Sequence, residues 1–187
     1  MLLAGFLTLR VDAAHAGVDN PATVYERVLE LLAAKKEGML LVLDPTLQMR
    51  LAAIENADPS LISRAAGSSE RFERLRTLNE VPVSLASVVR DSERWVVLSE
   101  DEQKPLQLGT SKAVQAIRAG YPRVTTLVRM SRAYVDALGD HALIYVEEFG
   151  NCDSPCGSVG ILISLHRSPN AWVVDSQETL WRGHWRG

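Results

Sequence analysis

The chain has 187 residues, 47% of them hydrophobic, and a formal net charge of −3. That length fits one domain with a sizeable core. The slightly acidic balance argues against nucleic acid as a partner, because nucleic-acid binding requires clustered lysine and arginine. No apolar run reaches the ~18–20 residues that a transmembrane segment needs, so the sequence predicts a soluble protein.

The first 18 residues allow two interpretations. Residues 2–9 form a short apolar run, and Ala14-His15-Ala16 has the small-x-small form of a signal-peptidase site. A basic region before the apolar run is absent. We interpret residues 1–18 either as a degraded signal peptide or as a flexible N-terminus, and residues 19–187 as a single domain.

Helices are predicted in the first half of that domain. Asn20-Pro21 offers an N-cap followed by proline, and apolar residues then recur at helical spacing. Residues 39–43 form a continuous apolar run of strand length, which ends at Asp44-Pro45. Three more helices are expected: one over residues 47–54, one that begins at Asp58-Pro59 and ends by Gly67, and one over residues 69–78.

The second half changes to the pattern of strands. Residues 95–98 read as a strand, and a short helix follows that begins at Thr110 or Ser111 and ends at Gly120. Four β-branched and aromatic runs then alternate with turn-forming segments. These runs are residues 124–130, 142–148, 159–166 and 172–174. The sequence therefore predicts an α+β fold, in which N-terminal helices cover one face of a C-terminal antiparallel β-meander.

Charged and aromatic clusters have ordinary structural interpretations. The arginines of residues 64–76 alternate with glutamates, and Glu70 and Arg74 have the i,i+4 spacing of a solvated helical face. Glu147 and Glu148 are adjacent in a strand and should point to opposite faces, so they are predicted to be solvated charges and not a catalytic pair. The C-terminal tryptophans are expected to pack in the core or over a sheet edge. They are Trp172, Trp181 and Trp185.

The only two cysteines, Cys152 and Cys156, lie between two predicted strands. Such a pair is a disulfide, a redox couple or half of a metal site. The spacing is not the C-x-x-C of thioredoxin-like couples, and a structural zinc site would need two more ligands, for which the four histidines have no paired spacing. We favour a disulfide that clamps the tip of a hairpin, with no metal and no cofactor. A disulfide persists in an oxidising compartment, which favours a periplasmic or secreted location over a cytoplasmic one.

A further pattern covers the C-terminal third. Tyr121-Pro122, the run at residues 142–146, Cys152-x-x-x-Cys156-Gly157 and two later tryptophans follow one another in this order. The pattern resembles a bacterial family of uncharacterised secreted or lipoprotein-like proteins, whose C-terminal signature reads ALVYv…CGxLCGxG…W…W. The family has glycine after its first cysteine, where this chain has Asp153. The resemblance implies export and implies no particular activity.

Two functions remain open from the sequence. The first is a non-enzymatic exported domain that binds an unknown protein or envelope component through the clamped loop, with an exposed apolar or aromatic patch near Phe149, Val159 and the terminal tryptophans. The residues expected to form this binding loop are Phe149, Asp153, Ser154, Pro155 and Gly157. The alternative is a small hydrolase-like or thiol redox enzyme centred on the cysteine loop, with His141, His166 or Glu147 beside it. We favour the first because no catalytic motif supports the second.

Overall fold

The computed structural model describes residues 21–46, 58–104, 115–117, 119–150 and 157–184. Its helices are α1 (Pro21–Ala34), α2 (Pro59–Ala66) and α3 (Ser69–Leu78), and residues 115–117 and 119–120 are also helical. The seven strands are β1 (Met39–Leu43), β2 (Trp95–Leu98), β3 (Val124–Met130), β4 (Tyr134–Val135), β5 (His141–Gly150), β6 (Gly157–Arg167) and β7 (Trp172–His184). The predicted helix over residues 47–54, the predicted cap at Thr110 or Ser111 and the first 18 residues lie outside these ranges. No helix within them is long and apolar enough to cross a membrane.

All seven strands belong to one mixed sheet, which confirms an α+β fold. The strand order is β2-β1-β3-β5-β6-β7, and β4 pairs with β5 at the side. From β3 onward the pairing is antiparallel, as the sequence predicted. The layout of a helical half against a separate β-meander is wrong, because β1 pairs in parallel with both β2 and β3. The run Met39–Leu43 is buried almost throughout, which is typical of a parallel strand inside a sheet.

Helices cover both faces of the sheet, so the prediction of one covered face is also wrong. On the first face, α1 packs against Ile144, Val146 and the alternate residues of the neighbouring strands. On the second face, α2 and α3 pack against Leu143, Tyr145 and Leu162. The cause is visible in β5, whose residues 142–146 are apolar without interruption and are all buried. Consecutive strand residues face opposite sides, so burial of every residue requires two covering layers.

The predicted boundaries of α2 and α3 are confirmed by their caps. Asp58 accepts a hydrogen bond from the backbone N–H of Ser60 at 2.8 Å, and Pro59 begins the helix. Gly67 ends α2 with φ of 73°, a left-handed conformation that favours glycine. Ser68 then caps α3 by accepting a hydrogen bond from the N–H of Arg71 at 3.2 Å. The second face of the sheet therefore receives a tightly joined helix pair.

A buried asparagine ties the end of α3 to the sheet. Asn79 is 1% exposed, and its amide donates to the carbonyls of Leu75 at 2.7 Å and Arg132 at 3.2 Å. The N–H of Arg132 donates back to the Asn79 side chain. Next to it, the buried Ser131 hydroxyl accepts the N–H of Tyr145 at 2.9 Å. These bonds fix the end of α3 against residues 131 and 132, which follow β3, and join Ser131 to Tyr145 on β5.

The tryptophans support the predicted packing role in the described part of the chain. Trp172 is buried in the core beside α1, and its indole N–H donates to the Thr23 hydroxyl at 3.2 Å. Trp181 packs against the cluster of α2 and α3 on the second face. Trp185 lies outside the described residues. Trp172 and Trp181 thus contribute apolar area and satisfy their N–H groups, as buried indoles usually do.

The indole of Trp181 packs over Gly160, its partner residue on the neighbouring strand β6. Its indole N–H donates to the Tyr145 hydroxyl at 2.6 Å, and this hydroxyl donates to a Glu147 carboxylate oxygen at 3.1 Å. Burial, followed by the nearby charge of Glu147, raises the pKa of Tyr145 above its usual range. Gly160 lies beneath the indole, and a Cβ at this position would stand 2.0 Å from Trp181 Nε1 and 2.5 Å from the Tyr145 hydroxyl oxygen. The missing side chain therefore makes room for the whole cluster.

Gly160→Ala should lower the free energy of unfolding by about 1–3 kcal/mol, the usual cost of an overpacked core. The added methyl group must displace the indole and separate it from Tyr145. Urea denaturation, followed by tryptophan fluorescence, measures this loss. The matched control is Gly157→Ala on the same strand, where a Cβ would meet nothing within 4 Å. Its change should stay within about 0.5 kcal/mol, and equal losses in both variants would contradict the packing argument.

Candidate functional site

The two strands of the predicted hairpin are paired, and they lie between β3 on one side and β7 on the other. Strands β5 and β6 pair from His141 opposite His166 to Phe149 opposite Ser158. At the tip, Gly150 pairs with Thr126 on β3, and Gly157 pairs with His184 on β7. Both strands are thus held from their outer sides up to the point where the loop begins. The loop starts from a platform of four paired strands.

The cysteines themselves, with Asp153, Ser154 and Pro155, lie in residues 151–156, outside the described residues. Their disulfide stays a prediction. Of the predicted binding-loop residues, the structure describes Phe149 and Gly157, one at each side of the loop. Gly157 is exposed, while Phe149 is half-buried. The described strands bring the two sides of the loop together, as a hairpin requires.

Of the apolar patch expected beside the loop, the structure describes Phe149, Val159 and Trp181, and all three are only partly exposed. The guanidinium carbon of Arg129 lies 5.7 Å from the centroid of the Phe149 ring, in the geometry of a cation–π contact. Val159 is half-buried and packs against the core on the α1 face. Within the described ranges, the exposed large hydrophobic residues lie elsewhere: they are Val81, Val83, Leu138 and Val173. On the β5 side of the loop, the Phe149 ring is therefore in contact with a charged side chain.

Glu147 and Glu148 point to opposite faces, as predicted, but they are not simply solvated. Glu147 accepts the hydrogen bond from Tyr145 on the second face. Glu148 lies on the α1 face with only 9% of its side chain exposed, and its carboxylate is 2.8 Å from the ammonium nitrogen of Lys36. Lys36 follows the end of α1. This ion pair connects the helix to β5 two residues before the loop.

The residues proposed for an enzyme are not brought together. His141 and His166 are directly opposite each other, but they occupy the end of the hairpin away from the cysteines. Glu147 lies six positions along β5 from His141, a separation of roughly 20 Å in an extended strand. His166 is hydrogen-bonded through Nδ1 to Asp175 on β7. Across the described ranges, His, Cys, Asp and Glu side chains do not form a group of three or more that could hold a metal ion.

A pocket that the sequence did not predict lies at this histidine end, between the helix pair and the sheet. Its volume is about 210 Å³. Arg64 from α2 and Arg71 from α3 line one side, and His141 and Asp175 line the sheet side. Its apolar lining includes Ala65, Ala66 and Leu143, which belong to the core cluster beneath the helices. Ionisable groups therefore converge about one strand length away from the cysteine loop.

The arginines of α2 and α3 divide into two groups. Arg74 is 2.8 Å from Glu70, and Arg76 is 2.6 Å from Glu73, so the prediction of a solvated helical face is confirmed for these pairs. Arg64 and Arg71 instead line the pocket, which the interpretation of all four as one surface missed. The sequence contains part of this division. Arg71 lies close to the αL turn at Gly67, which joins the two helices, whereas Arg74 lies beside Glu70. The sequence does not show that Arg64 and Arg71, from two different helices, line the same pocket.

Lys36→Met should lower the free energy of unfolding by about 1–2 kcal/mol, because it leaves the buried Glu148 carboxylate without its partner. The loss should be smaller than the ~3–5 kcal/mol for fully buried pairs, since Lys36 is partly exposed. Chemical denaturation measures it. In the Lys36→Met variant, the additional change Glu148→Gln should recover much of the lost free energy of unfolding, because it removes the unpaired charge. The control is Lys104→Met, which removes an exposed pair with Asp101; a loss as large as that of Lys36→Met would contradict this explanation.

Comparison with known proteins adds no relative to this geometry. Neither a scan against protein-family models nor a search of the curated proteins gives a match for this chain. The function therefore has to be argued from the hairpin, its loop and the surrounding side chains.

Proposed function

We propose that this chain is an exported, non-enzymatic domain that binds a protein partner or a component of the cell envelope through the β5–β6 loop. One observation carries the proposal. The loop begins and ends on central strands whose last described residues are still paired with β3 and β7. Loops held on a rigid scaffold are where binding residues concentrate.

The sides of the loop are supported from both faces of the sheet. On one face, Glu148 is fixed by Lys36 at 2.8 Å. On the other, the Tyr145–Trp181 hydrogen bond and the contact of Arg129 with Phe149 hold the strand ends. A loop whose ends are already ordered loses little conformational entropy when it binds, so more of its contact energy appears as affinity. This is the physical advantage of a loop on such a platform.

The loop residues supply the contacts in this proposal. Asp153 offers a charge, Ser154 a hydroxyl group, and Pro155 a restricted backbone, while Phe149 and Gly157 form the two sides. A disulfide between Cys152 and Cys156 would restrict the loop further, and it would persist in the periplasm or outside the cell. The clamp and the export proposal therefore depend on the same oxidised state.

An enzyme centred on the cysteine loop is supported less well. General acid–base or thiol chemistry there would require His141, His166 or Glu147 beside the cysteines. The two histidines stand at the other end of the hairpin, and Glu147 accepts a hydrogen bond from Tyr145. Binding needs only the presented loop, so it is the simpler use of this geometry.

The disulfide is tested by stability and by thiol titration. Replacing both cysteines, with Cys152→Ser and Cys156→Ser, should lower the free energy of unfolding by about 2 kcal/mol, the loop-closure value for a loop of about five residues. The wild-type protein in reductant should lose the same amount, and reductant should not affect the variant. Two titratable thiols in protein purified without reductant from its native compartment would contradict both the clamp and the export proposal.

The binding loop is tested by crosslinking in the native host. A photoreactive amino acid at Ser154 should give a discrete adduct with a partner, and the cysteine double variant should weaken that adduct because its loop is no longer restricted. The matched control is the same amino acid at Leu138, which is 81% exposed in the turn before β5, at the far end of the hairpin. Adducts of equal yield from both positions, or none from Ser154, would count against the loop.

A further inference from the structure

We propose that the pocket between α2, α3 and the histidine end of the hairpin binds a small molecule or chain terminus that carries one carboxylate. The pocket is separate from the cysteine loop, since it lies at the opposite end of β5 and β6. The two proposals can therefore fail independently.

The lining has one positive charge without a close counterpart. Arg71 is 3.7 Å from the Asp136 carboxylate, and Asp175 is hydrogen-bonded to His166. Arg64 is exposed, and its side chain makes no hydrogen bond or ion pair with any described residue. Its charge adds a small contribution to the lowered pKa of Asp58, after the hydrogen bonds from Ser60. A free guanidinium beside a second one is suited to a planar carboxylate, which can accept two parallel N–H···O bonds.

The nearby acidic groups favour a single negative charge over a doubly charged ligand. Asp136 lies beside Arg71 and Asp175 is bonded to His166, so Arg64 is the guanidinium left to pair with a monoanion, and Arg71 can share that contact. A phosphate dianion would bring a second negative charge toward Asp175, where like charges repel. His141 lines the same space. Its carbonyl accepts the N–H of Asp136 at 2.9 Å, whereas its ring makes no hydrogen bond with any described residue and is available to a ligand oxygen. These features select a carboxylate.

The size and the floor of the pocket define the rest of the ligand. A volume of about 210 Å³ leaves room for a small ligand but not for a large one. Ala65, Ala66 and Leu143 provide an apolar floor. The hydroxyl groups of Ser164 and Ser176 are 2.9 Å apart and bonded to each other, so they form a neutral polar edge. A carboxylate with a short apolar body fits this combination, either as a free acid or as the last residue of a peptide.

The test is a titration of the full chain observed by amide chemical shifts, with butyrate, inorganic phosphate, and a trialanine peptide with either a free or an amidated C-terminus. Butyrate or the free peptide should give saturable shifts at Ala65, Ala66 and Leu143, and phosphate and the amidated peptide should bind more weakly. A tighter free peptide identifies a chain terminus as the ligand, while tighter butyrate identifies a free acid. Both results support the carboxylate site.

Arg64→Gln should weaken this binding roughly tenfold or more, because it removes a charged hydrogen-bond donor. Arg64→Lys keeps the charge without the planar fork, and it should bind with intermediate affinity. The control is Arg76→Gln on α3, whose guanidinium is held by Glu73 away from the pocket and whose loss should leave affinity unchanged. The proposal is overturned if no carboxylate gives saturable shifts, if phosphate binds tightest, or if the Arg64 and Arg76 variants behave alike while folded.

Discussion

Burial of the middle of β5 on both faces is the constraint on which the rest of this fold depends. Five consecutive residues of the strand, Ala142 to Val146, are buried, and they alternate between two faces. One covering layer cannot remove all of them from water, so α1 must lie on one side and the α2–α3 pair on the other. The short polar contacts at Ser131, Asn79 and Tyr145 follow from this arrangement, because each satisfies a group that the two layers shut off from solvent.

Much of the local structure could be predicted because it is encoded locally. Asp58-Pro59, Gly67 and Ser68 define helix ends through bonds between neighbouring residues, and the turn-forming residues 151–157 separate two clear strands. The parallel pairing of β1 with β2 and β3 could not be predicted in the same way. It joins segments far apart in the chain, and an apolar run such as Met39–Leu43 does not indicate its partners. The same run did carry a hint, since an uninterrupted apolar strand is typical of a sheet covered on both sides.

The two candidate sites differ in the same way, since one is encoded locally and the other is not. The loop could be found from spacing alone, because cysteines, glycines and proline are concentrated in one short segment. The pocket could not, since its arginines come from two helices and its acidic and histidine side chains from the sheet. Glu148 shows why charge patterns mislead: a glutamate near a strand end is usually solvated, yet here the end of α1 brings Lys36 over it. The ion pair depends on the direction in which α1 crosses the sheet, and no local pattern of the sequence indicates that direction.

The two-residue period of the β5–β6 hairpin has a consequence for how this chain can change in length. A single inserted or deleted residue within either strand would exchange its two faces, sending Tyr145 toward α1 and Ile144 toward α2 and α3. Both layers are closely packed, so neither can accept the exchange. The described register runs up to Gly150 and resumes at Gly157, so a change of length between these two residues need not shift it. Variation in length should therefore collect at the tip, where a new loop leaves the register of the sheet unchanged.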